Sequence, residues 1–164
     1  MVTFRSTRGV GVGVSAPQAV MAGMAEDGGL YVPSHVPAMP YGAWTDAFVP
    51  AATRIFTDLL PGFEGIGALV EAAYLGRFDS PEVAPLLKVG DAFVTELHHG
   101  PTAAFKDIAL CGLPGLMAQA RARLAPELRI LVLTATSGDT GSAALAGFAG
   151  AEGIRVIVFY PDQG

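Results

Sequence analysis

Arg129-Ile-Leu-Val-Leu-Thr-Ala-Thr-Ser-Gly-Asp-Thr-Gly141 is the stretch on which the fold turns. Its first seven residues form a near-continuous apolar run, as expected of a strand buried on both faces. A loop of small residues follows, then a small-residue helix over 140–150, then a second apolar run, Ile154 to Tyr160. Two such strands separated by a helix predict a parallel sheet covered on both faces, the opening of a doubly wound α/β domain.

Working towards the N-terminus, the spacing predicts a helix over 103–125 and a strand from Phe93 to Leu97. Pro114 falls inside that helix, where it removes a backbone donor and crowds the preceding turn, so a kink or break is expected near Cys111 to Leu113. Helical spacing further upstream, for example Ile66, Leu69, Val70 and Ala73, predicts helices over 43–60, 64–77 and 81–88. In the first forty residues, Val2 to Thr7 is β-prone and Ser15-Ala-Pro-Gln18 is a capping box opening a helix through Met24. Asp27-Gly-Gly29 reads as a turn and Leu30 to Val32 as a short extended piece. The fold class is therefore α/β, divided into an α+β segment over 1–90 and the truncated start of a doubly wound parallel-sheet domain over 91–164. Two parallel strands make a poor sheet by themselves, so a sequence stopping just after the second is expected to be the N-terminal portion of something longer.

Composition narrows the function. Of 164 residues, 51% are hydrophobic and 15% charged, which excludes general disorder. Mean hydropathy is +0.46, apolar enough that some other surface is expected to cover part of this one, either a missing C-terminal part or a second copy. A net charge of -5, with no basic run, argues against a nucleic-acid partner. No apolar run approaches a membrane span and the first residues do not read as a signal peptide, so no membrane association and a cytoplasmic location are expected. The single cysteine, Cys111, fits a reducing compartment and a buried packing role.

Three loops compete for chemistry. Gly9-Val-Gly-Val-Gly-Val-Ser15 fails the dinucleotide spacing, because Val14 stands where the third glycine belongs. In Thr134-Ala-Thr-Ser-Gly-Asp-Thr-Gly141, Ser137, Thr140 and the free N–H groups of a helix start are able to hold an anion such as a carboxylate. The alternative is a tight turn with Asp139 or Thr140 as N-cap. It lacks a P-loop lysine, so nucleoside triphosphates are not expected.

The third loop, His99-Gly-Pro-Thr102, precedes Lys106, one of only two lysines among ten Lys and Arg residues. Arginine serves for surface charge but cannot act as an amine nucleophile, so a lone lysine behind a Gly-Pro turn points to Schiff-base chemistry. The alternative is a solvated pair with Asp107. Thr102 is placed to cap a helix beginning near Ala103, which sets Lys106 in its first turn, where the dipole disfavours a protonated amine. His98 and His99 are adjacent, so in an extended chain they face opposite ways, and no metal site is expected.

The run Glu96-Leu-His-His-Gly-Pro-Thr-Ala-Ala-Phe-Lys-Asp107, followed one βα unit later by Thr134-Ala-Thr-Ser-Gly-Asp-Thr-Gly-Ser-Ala143, resembles the threonine synthases. These are pyridoxal-phosphate enzymes of the tryptophan-synthase-β-like fold, fold type II. The segments Ser6-Thr-Arg-Gly9 and Ala19 to Pro33 resemble that family's opening independently; position 98 departs, the family often carrying an aromatic or other apolar residue there. The resemblance implies a lyase of threonine biosynthesis that converts O-phospho-L-homoserine and water to L-threonine and phosphate. It makes Lys106 the Schiff-base lysine, sets Phe105 and Asp139 beside the cofactor, and gives Ser137, Gly138, Asp139 and Thr140 the substrate's α-carboxylate. Arg8 is a candidate for the substrate phosphate, against a structural role. The family's phosphate-binding loop lies downstream of Tyr160, so these 164 residues alone are expected to be inactive or nearly so. Two alternatives stand: another fold-type-II lyase, such as a threonine dehydratase-like enzyme, and a non-catalytic ligand-binding protein on the same scaffold.

Overall fold

The computed structural model describes residues 2–38 and 47–162. Helices from both sides of position 90 build its main core, with a hairpin and two small sheets around it. Strand β1 (Phe4–Ser6) pairs antiparallel with β2 (Tyr31–Pro33), Arg5 opposite Val32. Between them α1 (Ala16–Ala22) starts at the expected capping box: Ser15 Oγ accepts from Gln18 N–H, and Gln18 Oε1 accepts from Ser15 N–H at 2.9 Å. Gly23, at φ 67, ends the helix one residue before Met24.

Helix α2 (Phe48–Leu59) and α3 (Ile66–Tyr74) follow; residues 43–46 of the expected first helix lie outside the described residues. The helix expected over 81–88 is not formed. Leu86–Val89 (β3) pairs instead with Ala92–Thr95 (β4) as an antiparallel hairpin, turned by Gly90 at φ 61 and Asp91. Pro81 and Pro85 spoil a helix there, while a Gly-Asp pair between two apolar runs is a two-residue hairpin signal that outweighs the helical spacing.

Helix α4 (Asp107–Leu124) crosses the molecule and touches α1, α3 and α5 (Asp139–Phe148). It runs through Pro114 unbroken, against the expectation of a break. Pro114 has no N–H to give the carbonyl of Leu110, four residues back. Gly147 of α5 packs on that carbonyl so closely that a Cβ at position 147 would overlap it. Two further glycines admit α3: Gly112 sits beneath the Tyr74 hydroxyl and Gly115 against Leu69. The Tyr74 hydroxyl donates to the Ile108 carbonyl at 2.7 Å, and burial pushes its own pKa up to about 12. Val70, Tyr74, Phe78, Val83, Cys111 and Leu116 lie together in this core, so Cys111 packs as expected, and its thiol is pushed up by burial.

Strands β5 (Ile130–Ala135) and β6 (Ile154–Phe159) pair in parallel across α5, the βαβ arrangement read from the sequence. Coverage differs from expectation. The face that includes Val132 and Val158 is partly buried, whereas Leu131, Leu133, Ile157 and Phe159 on the other are exposed, so the described residues cover one face of the sheet. Among the described residues no helix is long and apolar enough to cross a membrane.

Candidate active site

The lysine turn is built around a carboxylate, not around the threonine hydroxyl that the sequence favoured as cap. Helix α4 begins at Asp107 with Lys106 at its N-cap position, and the N-cap makes no side-chain hydrogen bond. Thr102 lies outside the helix and donates from its hydroxyl to Asp107 Oδ1 at 2.7 Å. Its N–H donates to Asp107 Oδ2 at 2.8 Å, and Ala104 N–H reaches the same oxygen at 3.4 Å. Asp107 is 1% exposed and makes no ion pair with its neighbour, so the solvated Lys106–Asp107 pair is not what forms. Gly100 presses on it from the other side, where a Cβ would overlap the Asp107 carboxyl group.

Lys106 is half-buried and its Nζ lies 4.3 Å from the centroid of the exposed Phe105 ring, a cation–π distance. Amine and aromatic face are thus presented together at one helix start.

Just before the turn, His98 and His99 stack at 4.4 Å between centroids and 29° between planes. This corrects the expectation of opposite faces, because residues 96–99 lie beyond the end of β4 and lack the alternation of a strand. Glu96, His98 and His99 bring donor atoms within 4.8 Å of one another. Yet His99 Nδ1 is 2.5 Å from Asp79 Oδ1 and its Nε2 is 2.9 Å from Glu96 Oε2. An imidazole bonds two carboxylates when both nitrogens carry hydrogen, and then it has no lone pair for a metal. Glu96 first, and Asp79 after it, raise the His99 pKa above the ordinary histidine value. The Asp79 N–H also donates to the His99 carbonyl at 3.0 Å, tying the segment after α3 to the lysine turn.

The second candidate loop is open. Gly138, at φ -179, is the N-cap of α5, and neither Asp139 nor Thr140 caps it, contrary to the tight-turn alternative. Asp139 and Thr140 occupy the first helical turn, and Gly138 N–H donates to Thr136 Oγ1 at 3.2 Å. Ser137, Gly138 and Asp139 are exposed beside a pocket of about 340 Å³ lined by Thr136, Ser137, Gly138, Ser142 and Tyr160. Gly141 lets α5 close on the strands, since a Cβ there would overlap Thr136 and Val158. Among the described residues no hydrogen bond, ion pair or ring contact joins Lys106 to Ser137–Thr140; their helices meet at Leu110 and Gly147.

Arg8 stands apart. Its Nη1 donates to the Asp27 carbonyl at 3.1 Å, within a turn in which the Asp27 carboxylate also accepts from Ser6 Oγ at 2.6 Å and Gly29 N–H at 2.9 Å. The Ser6 hydroxyl foremost, then the Gly29 amide, hold the Asp27 carboxyl below its ordinary pKa.

Asp107 and His99 were not singled out from sequence as organisers of the site. The readable signal for Asp107 was an acidic residue at a helix start behind a Gly-Pro-Thr turn. Nothing local could reveal Asp79, twenty residues before His99.

Comparison with known proteins agrees along the whole chain. Residues 3–57 match the family model described as threonine synthase N terminus. Threonine synthase of Schizosaccharomyces pombe is 37% identical over 98% of this chain, and that of Pseudomonas aeruginosa 36% over 98%. The chain spans about a third of their length, 34% and 35% respectively. Among solved structures, PLP-bound threonine synthase from Brucella melitensis superposes with a TM-score of 0.91 at 33% identity, over 99% of this chain and 36% of that one. The yeast threonine synthase superposes with a TM-score of 0.86 at 32% identity, over 98% of this chain and 36% of that one.

Proposed function

Because the chain belongs with the threonine synthases, as the counterpart of their N-terminal third, we propose that it carries the lysine and the carboxylate loop of an enzyme making L-threonine and phosphate from O-phospho-L-homoserine and water. The observation that carries this reading is Lys106, half-buried at the start of α4 with its amine over the exposed Phe105 ring. That arrangement fits pyridoxal phosphate, which needs one primary amine for its aldehyde and an apolar face for its ring. When bound, the cofactor supplies an electron sink for carbanions beside the amino group.

The rest falls to the chain's own residues. Lys106 would hold the cofactor through Nζ and, as a free amine, would move protons at the substrate's α- and β-carbons, so that phosphate can leave the γ-carbon before that carbon takes up a proton and water adds at the β-carbon. Ser137, Thr140 and the uncapped N–H groups at the start of α5 hold the α-carboxylate, helped by the positive end of the helix dipole. Asp139, exposed in the first turn of α5, would face the bound cofactor. Arg8 is exposed and stays a candidate for the substrate's phosphate, against the structural role that its bond to the Asp27 carbonyl supports; kinetics in phosphohomoserine that are unchanged by Arg8→Ala in the full-length enzyme would withdraw the candidate.

The test is direct. Pyridoxal phosphate is titrated into the protein, the visible absorbance of lysine-bound cofactor is followed, and Lys106→Ala is expected to abolish it. A band that survives the substitution defeats the assignment. Assaying the full-length protein with phosphohomoserine against threonine as substrate separates this reading from a dehydratase-like lyase.

A further inference from the structure

We infer that Asp107 is a positioning residue for Lys106, acting through the backbone of the turn that precedes it; this rests on the role proposed for Lys106 above. The residue is almost wholly buried, and its carboxylate points back towards the turn, away from the amine next to it in sequence. Three donors satisfy it: the Thr102 N–H and hydroxyl and the Ala104 N–H. Those donors bracket Ala103, which is held at φ 56, a left-handed conformation that an alanine rarely keeps unless its neighbours fix it. Gly100 closes the cluster, since only a residue without Cβ fits against the carboxyl group.

Two consequences reach Lys106. The peptide planes from Thr102 to Ala104 are anchored on a group belonging to the first helical turn, so turn and helix move as one body, and Lys106 lies between the anchors. The carboxylate next to it in sequence is also withheld from the amine. A carboxylate bonded to Nζ would turn the side chain aside, whereas one already satisfied by three donors leaves Nζ over the Phe105 ring with no bond to Asp107.

The experiment compares the chain's two lysines within one molecule. Wild type, Asp107→Ala and Asp107→Asn are incubated with pyridoxal phosphate and reduced with borohydride, and the label on Lys106 and Lys88 is counted by mass spectrometry. Thermal unfolding confirms that each variant is folded. Asp107→Ala is expected to lower the Lys106-to-Lys88 ratio about tenfold, less than the roughly hundredfold that misplacing a reacting group by about 1 Å can cost. Asp107→Asn is expected to stay within about twofold of wild type, because its amide oxygen accepts from both N–H groups and its NH₂ donates to the Thr102 hydroxyl. Should Asp107→Ala fail to fold, Thr102→Val deletes one of the three bonds and is expected to lower the ratio about threefold. An unchanged ratio in folded Asp107→Ala or Thr102→Val overturns this inference alone. A large loss in folded Asp107→Asn overturns it too, since charge and not geometry would then be at work. Absence of label on wild-type Lys106 removes the lysine's assignment and this inference together.

Discussion

Two helix starts carry the candidate chemistry, and they are finished in opposite ways. At α4 the turn is closed: a buried carboxylate takes three donors, a glycine is pressed against it, and an alanine is held at positive φ. At α5 the start is open: its N-cap is a glycine, and Ser137, Gly138 and Asp139 are exposed. A closed start fixes one of its own side chains, and an open start has donors left for a ligand. The same backbone problem, leading N–H groups without helical partners, is met at α4 by carbonyls of its own turn, Ala104 for the Asp107 N–H and Phe105 for the Ile108 N–H, and at α5 is open to an incoming anion.

The contrast breaks most sharply at its glycines. Gly100→Ala drives a methyl into the Asp107 carboxyl group and is expected to cost about 3 kcal/mol in urea unfolding, the upper range for overpacking. Gly138→Ala adds a methyl that meets nothing within 4 Å, so a clearly smaller cost is expected, about 1 kcal/mol or less. Equal costs would show that the two starts do not differ.

The threonines come next. Thr102→Val leaves Asp107 Oδ1 without its hydroxyl donor and is expected to cost about 2 kcal/mol, as an unsatisfied buried acceptor does. Thr140→Val is expected to leave the unfolding midpoint in place and to weaken phosphohomoserine binding, which a saturation curve in the active enzyme measures.

The smallest effect is a pH dependence confined to the closed side. The pKa of His99 is raised in the folded chain by Glu96 and Asp79, so its protonated form is the one the fold stabilises. Its contribution is fully present below the unfolded histidine value of about 6.5 and is lost as pH rises through the higher folded value. Melting temperature is therefore expected to fall as pH rises through that range, and His99→Gln to flatten this slope. A slope that survives the substitution assigns it to another group.

Much of this was legible because it is local. The βαβ unit followed from two apolar runs around a small-residue helix, and the capping box from Ser15 and Gln18, whose bonds span three residues. The lysine stood out through its scarcity and the Gly-Pro-Thr turn before it. The hairpin at 86–95 was misread because Leu86, Leu87, Val89, Phe93 and Val94 are apolar at positions the fold leaves exposed, so burial did not print its period there. Asp107 escaped because an acidic residue after a lysine looks solvated until the turn folds over it. His99 required Asp79, a pairing that chain order does not display.

Pro114 was expected to weaken α4, and its position gives it a different consequence. The Leu110 carbonyl it leaves without an N–H donor is where Gly147 seats, so α5 has one axial setting along α4, much as a pin locates a plate. From that point the start of α4 at Lys106 is four residues away, about 6 Å of helix, and the start of α5 at Gly138 nine residues away, about 14 Å. The spacing between the amine and the open loop is then a fixed length measured from a single proline, and a slip of either helix would cost that seat.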